Sequence, residues 1–349
     1  MPKIRVLIVD DAVVVRSRVS KVLSGDLDLE VVGVAANGNI ALAKISQVNP
    51  DVIILDVEMP QMNGLETLAA IRQSYPHLPV IMFSTFTRIG ATATLEALAL
   101  GATDYATKPS NLGSVEAANQ HICKELIPKI KLFGSGAAKA QSTVTPKAIA
   151  TLIRSQTEAV DVVAIGVSTG GPNALAVLLP ELPADISVPI VIVQHMPPLF
   201  TKLLAERLAS KCKIPVEEAV SGTVLKPGHV WIAPGDFHTI VQRDGNIVRL
   251  VTHQAPPENS CRPSVDVLFC SIAQVYGARA IAIVLTGMGQ DGLRGCQWIR
   301  EAGGQILVQD KDSSVVWGMP GVVANAGLAD RVLPIDQMAG EILRRVGHK

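Results

Sequence analysis

Apolar runs alternate with amphipathic segments along the first 125 residues of the chain. The apolar runs have the length and composition of buried strands: Ile4–Val9, Val31–Ala35, Val52–Leu55, Val80–Phe83 and a stretch near Tyr105. The segments between them have helical spacing, as in Ile40–Val48, Leu65–Ser74 and Thr92–Leu100. Five alternating units of this kind predict an α/β domain with a doubly wound, five-stranded parallel sheet and helices on both faces.

The C-terminal part of the chain repeats this pattern with different turns. Four apolar runs each end in a polar or glycine-rich turn: Val162–Val167, Ile190–Gln194, Ile281–Leu285 and Gln305–Val308. Between the second and the third run, Thr239–Val251 has the pattern of a hairpin that turns at Asp244-Gly245. We therefore expect a second α/β domain with a mostly parallel sheet and an added antiparallel hairpin.

The stretch between these two parts differs from both of them in residue composition and in charge. Residues 134–143 are small, polar and aperiodic, as in a flexible linker. Residues 1–125 carry a net charge of −3, residues 126–158 of +4 and residues 159–349 of −1. These differences predict two domains, 1–125 and 159–349, joined by a flexible basic linker of residues 126–158 with a short helix around Ala148–Arg154.

Composition excludes several classes of protein. The 349 residues have zero net charge and only 3% aromatic residues, whereas nucleic-acid binders usually have a basic surplus and stacking rings. No apolar run approaches the ~20 residues of a membrane helix, and the chain enters a strand directly at its start, so we expect neither membrane insertion nor a signal peptide. The five cysteines are odd in number and scattered, which favours reduced thiols in a cytoplasmic protein over disulfides or a zinc site.

Charged and polar residues end the strands of the first domain. Asp10 and Asp11 follow the first strand, and Asp56 ends the third. Carboxylates that converge on one sheet edge need a cation among them, and oxygen ligands favour Mg²⁺. Ser84 ends the fourth strand and Lys108 the fifth. Each of these residues alone is compatible with helix capping or solubility. Together they predict phosphoryl transfer onto Asp56, in which the metal and Lys108 neutralise the phosphoryl charge.

This pattern resembles the receiver domain of two-component response regulators, which is a flavodoxin-like domain. The resemblance covers roughly residues 1–125 and rests on the Asp10-Asp11 pair, on Asp56 followed by Met59-Pro60, and on Lys108-Pro109. It implies that a partner histidine kinase phosphorylates Asp56. It also implies that Tyr105 is an aromatic switch residue. The alternative is that Tyr105 is an ordinary aromatic residue of the core.

A glycine-rich turn opens the second domain. Gly166–Pro172 contains G-x-S-x-G centred on Ser168, in which a tight strand-to-helix turn exposes a serine above a sheet. A serine nucleophile needs a base and an orienting acid. His195 directly follows one buried strand and Asp291 lies just past another, so all three belong to the same edge of one sheet. His238 is the second choice for the histidine.

A rival interpretation uses the same segment differently. Gly287–Gly292 also matches G-x-G-x-x-G after a strand, and Asp310 ends the next strand, near the spacing of a dinucleotide fingerprint. Too little chain follows for the usual complete dinucleotide domain, and Ser168 and His195 are left unexplained. A second domain that only binds a nucleotide or a partner remains the alternative to an enzyme.

The second domain resembles the catalytic domain of CheB-type chemotaxis protein-glutamate methylesterases from about Asp161 onward. The matching motifs are Ser168–Pro172, Gln194–Pro197, Ala233–Asp236, Arg262–Asp266, Thr286–Gly292 and Gly318–Pro320. The resemblance implies a triad of Ser168, His195 and Asp291, with the Met288 backbone N–H in the oxyanion hole. Thr169 would assist as a hydroxyl beside the nucleophile; its alternative is a helix cap.

The same resemblance implies an activity and its partners. The enzyme would hydrolyse glutamyl methyl esters, and deamidate glutamine, on methyl-accepting chemoreceptors without a cofactor. A CheA-type histidine kinase would phosphorylate the receiver, which otherwise covers the esterase cleft, and we expect a cytoplasmic monomer. Two positions depart from the family pattern: Cys261 stands where His is usual, and Gly321 where Arg is usual. If they touch the receptor, they alter substrate preference.

Overall fold

The computed structural model describes residues 2–109, 113–135 and 159–347. The chain divides into two compact units, Met1–Thr143 and Val144–Lys349. Each unit contains its own sheet, and we describe each by itself. In the described part of the chain, no helix is long and apolar enough to cross a membrane.

The first unit is built around a five-stranded sheet of order β2-β1-β3-β4-β5, in which all strand pairs are parallel. Its strands are β1 (Ile4–Val9), β2 (Leu29–Ala35), β3 (Val52–Asp56), β4 (Val80–Ser84) and β5 (Asp104–Thr107). Its helices are α1 (Val13–Leu23), α2 (Gly38–Val48), α3 (Gly64–Ser74), α4 (Arg88–Ala99), α5 (Val115–Glu125) and α6 (Ile127–Gly134). The predicted doubly wound receiver fold is confirmed.

Local capping fixes where the helices of this unit begin. The Asn37 side chain accepts a hydrogen bond from the Ile40 amide at the start of α2. At the start of α3, Asn63 and Glu66 form a reciprocal capping box.

Since β3 is buried along its whole length, its apolar residues form the centre of the core. Its last residue, Asp56, is thereby held at the carboxyl edge of the sheet.

Part of the predicted linker is helical. Residues 127–134, assigned to the linker from their charge, form α6, and Ile130 and Phe133 on that helix are buried. Gly134 packs against Ile4 of β1 so closely that a Cβ atom there would lie 2.2 Å from Ile4 Cγ2. The apolar face of α6 thus ties these residues to the first unit despite their basic charge. Residues 136–158, including the predicted helix around Ala148–Arg154, lie outside the described residues.

The second unit contains a seven-stranded sheet of order β14-β13-β12-β6-β7-β9-β8, again with parallel pairs throughout, and a separate antiparallel hairpin. The sheet strands are β6 (Val162–Val167), β7 (Ile190–Gln194), β8 (Val216–Glu218), β9 (Val230–Ile232), β12 (Ala280–Val284), β13 (Gln305–Gln309) and β14 (Arg331–Leu333). The hairpin strands are β10 (His238–Asp244) and β11 (Ile247–His253).

The described second unit contains six α-helices, five of which lie between strands while the sixth follows the last strand. They are α7 (Gly171–Leu178), α8 (Phe200–Ala209), α9 (Val265–Tyr276), α10 (Leu293–Glu301), α11 (Met319–Asn325) and α12 (Ile335–Arg345). Helix α9 lies between the sheet and the hairpin: Phe269 is fully buried, and Ser271 Oγ accepts a hydrogen bond from the Val241 amide of β10. The predicted parallel sheet with an antiparallel hairpin is confirmed. The hairpin turns at Gly245, whose φ of +58° suits glycine.

Candidate active site and phosphorylation site

Ser168 lies in the tight turn between β6 and α7. Its amide donates to the Thr286 carbonyl at 3.0 Å, and its carbonyl accepts from the Gly171 amide at 2.8 Å. Gly170 has a φ of +79°, and a Cβ atom there would come within 2.7 Å of the Val315 side chain. The glycine two positions after the serine is therefore required by both the turn and the packing. Ser168 is half-buried at the carboxyl edge of the sheet.

The structure brings His195 and Asp291 into direct contact. His195 follows β7, the neighbour of β6, and its amide donates to the Val167 carbonyl at 3.1 Å. Its Nε2 lies 2.8 Å from Asp291 Oδ2. Since a carboxylate only accepts, Nε2 carries the proton of a neutral ring and Nδ1 is the basic nitrogen. Within the described residues, no hydrogen bond joins the side chains of Ser168 and His195.

Asp291 is buried and is held by several donors besides the histidine. Its two oxygens accept six hydrogen bonds in all, from His195 Nε2, Asn259 Nδ2, Ser264 Oγ and the amides of Val265, Asp266 and Gly292. Two of these amides belong to the first turn of α9, where the helix dipole favours a negative charge. Burial raises the pKa of Asp291, but these hydrogen bonds and the His195 ring outweigh burial and lower it to about 2.

The electrostatics of His195 follow from the same contacts. Its side chain is only 12% exposed. Burial disfavours the charged ring and lowers its pKa, but the contacts with Asp291 and Cys261 outweigh burial and raise the pKa well above 6.5, to about 10. An imidazolium formed by proton transfer to this ring is thereby stabilised. This is the property that a general base needs once it has taken a proton.

Cys261, one of the two departures from the family pattern, reaches the candidate site. Its Sγ lies 3.6 Å from His195 Nδ1, the ring nitrogen that does not contact Asp291. His195, Cys261 and Asp291 also form a group with donor types that bind metals. Because the Asp291 oxygens already accept six hydrogen bonds, we interpret this group as a hydrogen-bonded network.

Gly321, the other departure, is buried in α11. A Cβ atom at this position would come within 2.9 Å of the Trp317 ring. The absence of a side chain therefore makes room for the indole, whose Nε1 donates to the Gln309 carbonyl at 3.1 Å. A side chain at position 321 would therefore require the Trp317 ring to move.

Two backbone amides beside Ser168 are available as oxyanion donors. Gly287 packs so closely on the serine that a Cβ atom there would lie 2.9 Å from Ser168 Cβ, which brings the next residue, Met288, to the edge of the site. In the described chain, the amides of Met288 and Thr169 make no backbone hydrogen bond. Thr169 is buried, and the cap position of α7 is Gly170. Both amides come from the loops that flank the nucleophile, as in an oxyanion hole.

His238, the second choice for a base, is engaged elsewhere. Its Nε2 donates to the Pro256 carbonyl at 3.1 Å, and its Nδ1 accepts from the Ser264 amide at 3.2 Å. Burial lowers its pKa. With both nitrogens occupied, His238 holds the end of the hairpin against the loop before α9.

The nucleotide-binding alternative is disfavoured by the start of α10. In a dinucleotide site, the amides at this helix N-terminus would face a pyrophosphate. Here the amides of Gly292 and Gly295 donate to Asp266 Oδ1 at 3.0 and 2.6 Å. Asp310 in turn accepts from the Ser313 amide at 3.0 Å and caps its own loop. A buried carboxylate already occupies the place of a phosphate.

In the first unit, the predicted acidic residues converge as expected. Asp10, Asp11 and Asp56 place carboxylate oxygens within 4.8 Å of one another. Lys108 Nζ lies 2.7 Å from both Asp10 Oδ2 and Asp56 Oδ2. Burial raises the pKa of Asp56 to about 6, although the Lys108 ammonium lowers it. Three crowded oxygen ligands, two of them buried, fit a hard divalent cation such as Mg²⁺.

Ser84 and Tyr105, the other two receiver residues singled out from the sequence, are both buried. Ser84 is fully buried, and its hydroxyl lies 3.4 Å from the Thr85 carbonyl. Tyr105 is also buried, with Lys129 Nζ 5.1 Å above its ring and 2.6 Å from its carbonyl oxygen. Burial raises the pKa of the Tyr105 phenol. The ring is turned into the protein in this structure.

Several site residues were not singled out from the sequence. Gln194 Nε2 bridges the carbonyls of Ser168 and His195 at 3.0 and 3.3 Å. Asn259 Nδ2 lies 2.8 Å from Asp266 Oδ2 and 2.9 Å from Asp291 Oδ1, joining two buried carboxylates. Gln194 and Asp266 lie within quoted motifs, so a signal was present for them. Asn259 lies outside every motif.

Comparisons with known proteins match both parts of the chain. Residues 163–342 match the family model of the CheB methylesterase, and residues 6–120 match that of the response regulator receiver domain. Among curated proteins, the protein-glutamate methylesterase/protein-glutamine glutaminase of Trichodesmium erythraeum is 59% identical over 99% of this chain and 100% of its own length. A protein of the same name from a Nocardioides species is 50% identical over 100% of this chain and 97% of its own.

Solved structures give the same result for the second unit. The crystal structure of the Thermotoga maritima CheB methylesterase catalytic domain matches with a TM-score of 0.53 and 42% sequence identity, and the match covers 54% of this chain and 99% of that one. The methylesterase family model covers more than half of the chain, and the curated relatives align over almost all of it. The chain therefore belongs to the CheB methylesterase family, with a response regulator receiver domain preceding the catalytic domain.

Proposed function

We propose that the chain is a phosphorylation-activated protein-glutamate methylesterase and protein-glutamine glutaminase that acts on chemoreceptors. The observation that carries the proposal is the 2.8 Å contact between His195 Nε2 and Asp291 Oδ2 at the sheet edge that also presents Ser168. The names of the relatives support the same activity. We keep the cytoplasmic location, the monomeric state, and the division into domains 1–125 and 159–349 with a basic linker as predictions.

In the proposed mechanism, Ser168 Oγ attacks the carbonyl carbon of a glutamyl methyl ester. His195 takes the serine proton at Nδ1, because Nε2 already donates to Asp291. The amides of Met288 and Thr169 stabilise the oxyanion, and the Thr169 hydroxyl assists beside the nucleophile. The proton then passes to the methoxide leaving group, which departs as methanol and leaves Ser168 acylated. Water, deprotonated by His195, then hydrolyses this acyl-enzyme. With a glutamine substrate, the leaving group is ammonia.

In the receiver, the proposed nucleophile is Asp56 and the phosphodonor is a CheA-type histidine kinase. Asp10, Asp11 and Asp56 would hold a Mg²⁺ ion, which supplies positive charge to the transferred phosphoryl group when it is bound. Lys108 contributes a second positive charge from its position 2.7 Å from Asp56. Ser84 would contact the phosphoryl group, and Tyr105 would report phosphorylation to the surface.

The test is a serine-reactive phosphonate on the purified full-length chain, followed by peptide mapping. The proposal predicts covalent labelling at Ser168 and loss of methanol release from methylated receptor. Binding of a nicotinamide cofactor without any labelling would instead favour the nucleotide-binding alternative.

Asp56→Asn is expected to abolish phosphorylation and with it the stimulation of the esterase. The amide cannot act as the nucleophile, so phosphodonor should leave the variant at its unstimulated rate. For wild type, a stimulation of the order of tenfold is within the usual range of coupling between two sites. The measurement is methanol release with and without phosphodonor, together with incorporation of labelled phosphate.

Asp28→Asn is the matched control, because Asp28 is an exposed carboxylate of the same domain. It should be phosphorylated and stimulated like wild type. Full stimulation of Asp56→Asn by phosphodonor would overturn the assignment of Asp56.

The esterase rate is expected to rise with pH through the neutral range. His195 must be neutral at Nδ1 to take the serine proton, and its contacts raise its pKa to about 10. Below that pKa, kcat/KM should increase by up to ~10-fold per pH unit. Cys261 and Asp291 contact the ring directly, and Asp266 and His238 each interact electrostatically with Asp291.

The profile is best measured on the unphosphorylated Asp56→Asn variant, because the pKa of Asp56, about 6, would otherwise add a second titration. A rate that is constant between about pH 6 and pH 9 would contradict the raised pKa of His195.

A further inference from the structure

Cys261 is held against the basic nitrogen of His195 by a turn that the catalytic network itself anchors. Glu258 and Cys261 exchange backbone hydrogen bonds of 3.1 and 2.8 Å across a tight turn. The two residues between them, Asn259 and Ser260, have φ values of +51° and +63°. Non-glycine residues in this region are strained and persist only when other contacts hold them.

The contacts that hold this turn lead to the triad. Asn259 Nδ2 donates to Asp291 Oδ1 at 2.9 Å and to Asp266 Oδ2 at 2.8 Å. Within this turn, Asn259 binds the same carboxylate that orients His195. At the end of the turn, Sγ of Cys261 lies 3.6 Å from His195 Nδ1. Cys261, His195 and Asp291 form one connected chain of hydrogen bonds, with a sulfur at the end where a proton must be accepted.

This arrangement makes the thiol chemically distinct from the other cysteines. Burial raises the pKa of the Cys212, Cys270 and Cys296 thiols, which keeps them protonated and unreactive. Cys123 is exposed, and in the described structure it has no histidine contact. Cys261 combines partial exposure with a neighbouring base. A thiol with a base in contact is the usual setting of a reactive cysteine.

We propose that Cys261 is a redox modification site, at which hydrogen peroxide reversibly switches off the esterase. This inference rests on the proposed function, since the switch acts through His195. When the His195 ring is neutral, the thiol proton moves to its Nδ1, and the thiolate attacks one peroxide oxygen. An S–O bond forms, the O–O bond breaks, and the departing hydroxide takes the proton from the imidazolium to give water. Sulfur is oxidised by two electrons to a sulfenic acid, and peroxide is reduced.

The product explains the loss of activity. A sulfenic acid adds an oxygen and a hydroxyl donor beside His195 Nδ1, the nitrogen that must receive the Ser168 proton. With that nitrogen occupied by a bulkier group, serine cannot be activated. Two equivalents of a thiol reductant restore the cysteine and release a disulfide and water.

The experiment treats the full-length chain with hydrogen peroxide in the presence of dimedone, which traps sulfenic acids, and quantifies each cysteine peptide by mass spectrometry. Cys261 should be labelled at least ~10-fold faster than the exposed Cys123. In His195→Gln, labelling of Cys261 should fall towards the rate of Cys123. Equal labelling rates for Cys261 and Cys123 in wild type would overturn the proposal, without reference to any variant or to esterase activity.

A parallel assay follows methanol release, with each protein compared with its own untreated sample. Wild type and the matched control Cys123→Ser should lose activity as Cys261 is oxidised and recover it with dithiothreitol. Cys261→Ser should keep the activity it had before treatment. Equal inactivation of Cys261→Ser would also overturn the proposal. Failure of the proposed function is distinguished by untreated wild type, which would then release no methanol.

Discussion

Replacing Ser168 by Ala is expected to reduce methanol release by roughly 10⁴-fold or more, since the acyl-enzyme can no longer form. The residual rate would come from the oxyanion donors and from substrate binding. The fold should be unaffected: Ser168 is half-buried, and within the described residues its hydroxyl makes no hydrogen bond. The free energy of unfolding should therefore change by no more than about 0.5 kcal/mol, as for a surface substitution.

Ser210→Ala is a suitable control, because Ser210 is an exposed serine whose hydroxyl donates to the Arg207 carbonyl at a helix end. It should retain full activity. If Ser168→Ala kept a substantial part of the wild-type rate, another residue would have to be the nucleophile. Cys261 would then be the first candidate, since its sulfur contacts the same base.

Replacing Asp291 by Asn is expected to lower kcat by roughly 10³- to 10⁴-fold. The amide nitrogen cannot accept from His195 Nε2 as the carboxylate does, so the ring proton moves to Nδ1 and the basic nitrogen is lost. The variant also loses stability, because one side of the amide would face donors such as the Val265 amide, which lies 2.7 Å from Oδ2. An unsatisfied buried donor costs about 1–3 kcal/mol.

The catalytic and structural effects of Asp291→Asn can be separated. Thermal unfolding measures the stability loss, and kcat is determined well below the unfolding transition. Asp310→Asn serves as the matched control, because Asp310 also ends a strand of this sheet but caps its own loop. A folded Asp291→Asn variant with wild-type kcat would remove Asp291 from the proposed mechanism.

The fold followed from the sequence wherever a strand was long enough to carry a pattern. The runs Ile4–Val9, Val162–Val167 and Ile190–Gln194 agree with the observed strands residue by residue. The three-residue strands Val216–Glu218, Val230–Ile232 and Arg331–Leu333 were not predicted, because three residues cannot establish a periodicity. The helix Ile127–Gly134 was missed because charge outweighed its apolar face in the assignment.

The convergence of Ser168, His195 and Asp291 on one edge followed from sheet topology, because the carboxyl ends of parallel strands lie together. The sequence could not say which ring nitrogen of His195 meets Asp291, since both choices are compatible with the same chain order. It also could not place Cys261 at the site. That placement depends on a strained turn whose conformation is fixed by Asn259, a residue without a recognisable pattern.

The most direct test of a phosphorylation-activated methylesterase is the release of labelled methanol from a methylated chemoreceptor by the purified full-length chain, measured with and without a small-molecule phosphodonor. A methylesterase of this kind should release methanol measurably without phosphodonor and faster with it. Absence of methanol release under both conditions, from a folded protein that incorporates phosphate at Asp56, would contradict the proposed function.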